Sequence, residues 1–241
     1  MTLIEQARAL YRAGFTVVPS RGKEPIKGLR WRWADGSRSR ELSREELATA
    51  GAGALRLSQS APGSPMAATS VSVRLDGDLI ALDLDSYDAE FTMLFAAMMH
   101  HFYPAADGMM YTVTGRKGLK IFARLPGKRG LERVQDKQRQ CMLDYLLQHY
   151  STEHGEIALE IKHDISACAG RHSEGIEYRA YEMKGCRALW ECPSPEVLPV
   201  VQLETVYWIY TGILYRLRGL CPELHEECFR LFRKARGRMN A

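Results

Sequence analysis

Two acids spaced by one, Asp83 and Asp85, end the apolar run Leu79-Ile80-Ala81-Leu82. On a strand, residues i and i+2 point to the same face. Leu82 and Leu84 then face a core, while Asp83 and Asp85 project together from the other side. Two carboxylates held that close repel each other and are costly to keep near a core. A divalent cation removes the conflict, and hard cations such as Mg²⁺ prefer carboxylate oxygen. The chemistry indicated is a metal site that acts on phosphate. The same letters also fit a strand running into a polar turn, with Asp88 capping the next helix. A third acid, Glu160, stands on an alternating strand over 157–162. Arg116, Lys117 and Lys120 lie on or beside another strand, and Gly170-Arg171-His172 follows the third. A third carboxylate is what a two-metal site needs beyond an Asp pair. Nearby cations are what a triphosphate needs.

The elements that must hold these residues are legible in the pattern. Thr2-Leu3-Ile4-Glu5 has the form of a capping box, and Leu3, Ala7, Leu10 and Tyr11 follow at helical spacing. Gly14 stops that helix, and residues 15–19 read as a short strand. Residues 21–28 make a basic loop with Lys23, a kind of loop that often carries function on a rigid frame. A short helix begins at Ser43 and a brief strand covers 54–57. Residues 71–75 alternate as a strand, and Asp76-Gly77 supplies a tight turn for a hairpin into 79–85. Asp88 caps a helix whose core stripe is Phe91, Leu94, Phe95, Met98 and Phe102. Strands follow over 110–114 and 119–124, the second with Leu119, Ile121 and Ala123 on one face and Lys120 and Arg124 on the other. Residues 132–150 favour a helix. Residues 166–169 are extended, and 176–181 read as a last strand. Pro193, Pro195 and Pro199 mark a linker. Helical patterns over 201–218 and 222–236 come next, the last with a basic face of Arg230, Arg233, Lys234, Arg236 and Arg238.

Composition sets the frame. The 241 residues are 46% hydrophobic and 26% charged, ordinary for a globular protein with a sizeable core. A net charge of +4 permits nucleic acid without requiring it. No apolar run approaches the ~20 residues that cross a membrane, and no signal-peptide pattern opens the chain. A cytoplasmic protein without a membrane partner is the expectation. The six cysteines, Cys141, Cys168, Cys186, Cys192, Cys221 and Cys228, form no Cys-x-x-Cys pair and read as free thiols. A zinc site from Cys186 and Cys192 with His154 or His163 is the alternative, on loose spacing.

The order of these elements resembles the prim-pol catalytic domain of the archaeo-eukaryotic primase superfamily, found in plasmid, phage and other mobile-element replication proteins. The resemblance covers roughly residues 5–182. It starts with Ala9-Leu10-Tyr11-Arg12-Ala13-Gly14-Phe15-Thr16-Val17-Val18-Pro19 and the Gly22-Lys23-Glu24-Pro25 loop. Leu82-Asp83-Leu84-Asp85 is similar to the family's first motif, and Thr114-Gly115-Arg116-Lys117-Gly118-Leu119 to the start of its second. Ala158-Leu159-Glu160-Ile161 is similar to the third, and Gly170-Arg171-His172-Ser173-Glu174-Gly175 with Tyr178 to the loop after it. In one place the chain departs from the pattern. The second motif usually ends in a histidine that contacts the incoming nucleotide, and here that position is Lys120. Lysine binds phosphate as a point charge.

The resemblance implies an α/β (α+β) fold, with an RRM-like palm sheet beside an N-terminal α/β unit. Residues 1–195 would form the catalytic domain and 196–241 a helical C-terminal region. It implies a DNA primase or polymerase, a nucleotidyltransferase using a single-stranded DNA template and nucleoside triphosphates. Asp83, Asp85 and Glu160 would hold two Mg²⁺ or Mn²⁺ ions. Arg116, Lys117, Lys120, His172 and Lys23 would contact the nucleotide, with Arg56 a further candidate. The chain carries no Gly-x-x-x-x-Gly-Lys-Ser/Thr, so a replicative helicase would be a separate protein. Two other readings stay open: a prim-pol-like protein that binds replication DNA without synthesis, and a metal-dependent nuclease.

Overall fold

A computed structural model of the chain describes residues 1–25, 68–115, 117–128 and 158–202, together with 205, 206, 208, 209 and 212. In chain order these form α1 (Leu3–Ala13), β1 (Val17–Arg21), β2 (Glu24–Pro25), β3 (Ser70–Arg74) and β4 (Leu79–Asp85). Then follow α2 (Ala89–Phe102), β5 (Met110–Val113), β6 (Leu119–Arg124), β7 (Ala158–Lys162), β8 (Ile165–Gly170) and β9 (Cys186–Ala188). Short 3₁₀ turns cover Leu189–Glu191 and Pro195–Val197. This is the mixed α+β class expected from the sequence. The expected elements at 43–51, 54–57, 132–150 and 222–236 lie outside the described residues. So do Arg56, Arg116 and the basic C-terminal face.

The strands make two sheets, ordered β2-β1-β3-β8 and β7-β4-β6-β5-β9. Only the β5–β9 pair is parallel. The first sheet is not contiguous in sequence, because β8 returns from far along the chain to pair with β3. α1 packs on it, opened by the capping box of Thr2 and Glu5 and closed at Gly14.

Alternation along β4 sorts its side chains between two cores. Ile80, Leu82 and Leu84 enter a core built with Phe91, Phe95 and Met99 of α2, joined by Leu119 and Ile121 of β6 and Leu159 of β7. Leu79 and Ala81 enter the second core, between the sheets and α1, with Leu10, Val71, Val73, Tyr111 and Phe122. Each large side chain fully buried in this way contributes about 1.5–3 kcal/mol. Asp88 caps α2 through Phe91 N–H, which donates to Oδ1 at 3.0 Å. The buried stripe of α2 turns from Phe95 to Met99, leaving Phe102 half exposed.

Three expectations are corrected. First, the turn at Asp76-Gly77 closes no hairpin. β3 pairs with β1 and β8, and β4 pairs with β6 and β7. The turn steps the chain from one sheet to the other, and the crossing is held by the buried Lys128, whose Nζ donates to the carbonyls of Leu75 and Leu79. Second, 176–181 is no strand. Its backbone donors go singly: Tyr178 to Gly170, Arg179 to Thr114, and Tyr181 to the Thr112 hydroxyl. Third, the proline-marked segment is no free linker. Leu198 and Val201 are buried, and the backbone at Pro199 and Val201 bonds to Arg124. β9, three residues long, carried no sequence signal.

Candidate nucleotide site

The acids emerge where β4 leaves the inter-sheet core. Strand register places Asp83 directly between Lys120 of β6 and Glu160 of β7. These three side chains form one row across three strands, on the face opposite α2. Asp85 is two residues on and shares the face.

Each acid meets a lysine. Lys120 Nζ lies 3.4 Å from Asp83 Oδ2, and Lys117 Nζ lies 3.8 Å from Asp85 Oδ1. Lys162, two residues beyond Glu160 on the same face, contacts the Glu160 carboxylate and reaches within 4.0 Å of Asp83. Asp83 is 6% exposed and Lys120 9%. Burial raises the Asp83 pKa above the usual carboxylate range, with Asp85 adding to the rise; Lys120 and Lys162 oppose it and do not prevail. For Lys162 desolvation pulls down, but its bond to Glu160 and the nearby acids outweigh that and raise it.

A loop sets the rim. Gly118 has φ 56°, and a Cβ there would stand 1.7 Å from the Leu84 carbonyl oxygen. Only glycine lets this loop press against the end of β4. Gly118 N–H donates to Ser86 O at 2.8 Å, and the Thr114 hydroxyl donates to Gly118 O at 2.7 Å. Lys117 is thereby held beside Asp85. From the first sheet, the turn at Gly22 packs on Ser173, where an added Cβ would lie 2.8 Å from its side chain. This contact brings Lys23 to the loop of His172.

One cleft is the result, and Lys23, Asp83, Asp85, Lys117, Lys120 and His172 all line it. Glu160 does not; it sits on the other side of Asp83, engaged with Lys162. His172 Nδ1 accepts from Glu174 N–H at 3.2 Å, so a neutral ring carries its proton on Nε2. Burial first, then Lys23 and Lys120, lower the His172 pKa, with Glu174 and Asp85 opposing. The balance favours the neutral ring. Tyr178, 5% exposed, underlies both: Lys120 Nζ is 5.8 Å from its ring centroid and His172 meets it edge-on.

Sequence reading passed over Lys162 and Tyr87, and quoted Tyr178 only as part of a motif, with no role. Lys162 was recoverable, since it lies two residues from Glu160 on one strand. Tyr87 lines the cleft next to Lys117, and its place depends on the contact between Ser86 and Gly118 that no local pattern announces.

Of the zinc alternative, His154 lies outside the described residues, and the two cysteines stand in different cores. Cys186 packs against the α2 core and Cys192 in the inter-sheet core. Burial pushes their thiols up to about 11 and about 12. Among the described residues no three His, Cys, Asp or Glu are grouped closely enough to hold a metal ion, Asp83, Asp85 and Glu160 as they stand included, and no helix among them is long and apolar enough to cross a membrane.

Compared with known proteins, the sequence matches the family described as bifunctional DNA primase/polymerase, N-terminal, over residues 7–195. No curated protein and no solved structure matches the chain.

Proposed function

The chain belongs to the bifunctional DNA primase/polymerase N-terminal family, and from that premise we propose that it synthesises primers on single-stranded DNA from nucleoside triphosphates. The supporting observation is the convergence of Asp83 and Asp85 with Lys117, Lys120, Lys23 and His172 in one cleft. The reaction is attack of a primer 3′-hydroxyl on the α-phosphate of the nucleotide, with release of pyrophosphate.

Asp83, Asp85 and Glu160 suit a hard divalent cation by donor chemistry, offering only carboxylate oxygens. A buried Asp83 with Glu160 beside it and Asp85 two residues on is also an arrangement that a cation relieves. These residues would hold Mg²⁺ or Mn²⁺, which when bound activates the attacking hydroxyl and stabilises the leaving group. Glu160 would join them by giving up its partner Lys162, a part-exposed side chain that also lies near Asp83. Lys120 and Lys117 neutralise triphosphate oxygens as point charges. The neutral His172 donates from Nε2 to phosphate or sugar without adding charge. Residues 1–195 carry this chemistry, and 196–241 would grip template or primer. A mobile-element origin and a separate helicase partner belong to the same proposal.

The test is primer synthesis on single-stranded DNA with Mg²⁺ or Mn²⁺. Asp83→Ala with Asp85→Ala should abolish incorporation, a loss on the order of a thousandfold or more, while circular dichroism stays native. Undiminished synthesis would reject the assignment of the acids. A second reading has its own observation: every acid of the row is already matched by a lysine, and Lys120 stands where the family pattern has histidine. A protein that binds DNA with steep salt dependence and incorporates nothing with any nucleotide or metal would be a binder only.

A further inference from the structure

The cleft holds two aromatic rings of opposite character. Tyr178 is 5% exposed and packed against Lys120 and His172, so it offers a ligand little of its ring. Tyr87 is 58% exposed and stands two residues beyond Asp85. Lys117 Nζ lies 5.5 Å from the Tyr87 ring centroid and 3.8 Å from Asp85 Oδ1, so a single ammonium connects ring and carboxylate.

Tyr87 is also rigidly mounted. Ser86 before it is 2% exposed, accepts at its carbonyl from Gly118 N–H, and accepts at its hydroxyl from Asp88 N–H at 3.1 Å. Asp88 after it is the N-cap of α2. The backbone at 86–88 is thus fixed to a strand end, a loop and a helix start, while the ring between them is offered to solvent. Ordered presentation of an exposed aromatic beside phosphate-binding cations is the arrangement that proteins use to hold bases: cations take the backbone or phosphates, and the ring takes the π-face.

We propose that Tyr87 is the stacking platform for the base of the nucleotide whose triphosphate is held by Lys117 and Lys120. The inference rests on the nucleotide-site reading above and adds to it the half of the ligand that the charged residues do not recognise. Stacking is indifferent to which base is present, so Tyr87 contributes affinity without sequence preference, as a template-directed enzyme requires.

The test separates base from phosphate. Binding of dATP and of inorganic tripolyphosphate is measured by calorimetry on the full chain without template, for wild type, Tyr87→Ala, Tyr87→Phe and Tyr87→Trp. Tyr87→Ala should weaken dATP about tenfold or more and leave tripolyphosphate within about twofold. Phe and Trp should restore dATP binding, because the π-face and not the hydroxyl is used. Equal losses for both ligands would overturn the proposal, since the ring would then act only by placing Lys117. Unchanged dATP binding in Tyr87→Ala would overturn it as well and leave the polymerase reading intact. Absence of primer synthesis with base-dependent binding preserved would instead remove the polymerase reading and leave the stacking site standing.

Discussion

The two faces of the five-stranded sheet are built to opposite rules. Toward α2, Leu82, Leu84, Ile121 and Leu159 meet Phe91, Phe95 and Met99, and each of these is at most 1% exposed. On the opposite face the paired Ala81 and Phe122 belong to the inter-sheet core, and two residues further along β4 the row Lys120–Asp83–Glu160 replaces them. A one-residue step along β4 thus moves a side chain from the apolar core to the charged cleft. Because the period is two, core side chains and cleft side chains are alternate residues of one strand. Substitutions on the two faces should therefore separate cleanly in what they damage.

The largest effect on the stabilising face should come from Phe95→Ala, which empties the centre of the α2 core. A loss of about 3–5 kcal/mol is expected, read from urea denaturation. Incorporation per folded molecule should stay near wild type at a temperature where the variant is folded. A variant of normal stability that no longer incorporates would break the division between faces.

A polar group can also serve the fold, and Lys128 tests that exception. It is 4% exposed, and its Nζ donates to the carbonyls of Leu75 and Leu79 where the chain crosses between sheets. Lys128→Met keeps the stem and removes the charged donor, leaving two acceptors unsatisfied. A loss of about 2–3 kcal/mol is expected, with nucleotide affinity unchanged. An effect on affinity instead would mean that the crossing communicates with the cleft, and the comparison would need redrawing.

How much of this was readable follows from the range over which each feature is decided. The α1 capping box, the Asp88 cap and the alternation of β4, β6 and β7 are set by neighbours within a few residues, and sequence reading found them. That Asp83, Lys120 and Glu160 each stand on a strand was read from alternation; that β4 lies between β6 and β7 and sets the three in one row was not, because strand order is decided by distant pairings. The failures are all non-local. Val71 and Val73 alternate as well in a hairpin as in a separate sheet, and Asp76-Gly77 turns the chain either way. Only partners far off in sequence, β8 and Lys128, decide which. β9 pairs in parallel with β5 across more than seventy residues of chain, and Tyr87 gains its place from Gly118. No single-sequence pattern encodes such contacts.

The finest distinction concerns Asp83 itself and has the smallest expected effect of the three. Burial raises its pKa in the folded protein even with Lys120 and Lys162 beside it, so the fold as a whole disfavours the carboxylate relative to the unfolded chain. For an acid with a raised folded pKa, the native state binds more protons than the unfolded state, and stability falls as pH rises through that interval. Above the raised pKa the full penalty is present; below the unfolded value, near 3.9, it is gone. Asp83→Asn mimics the protonated acid at every pH. It should therefore stabilise the protein at pH 7, and the gain should shrink as pH falls toward 4, where wild-type Asp83 takes up its own proton. Parallel urea titrations of the two proteins at several pH values would show it. A variant less stable than wild type at pH 7 would mean that Asp83 is kept to neutralise buried Lys120, and the charged face would then be structural like the other. A stabilised variant that no longer incorporates nucleotide would mean that this carboxylate is retained against stability, as expected of a group kept for its chemistry.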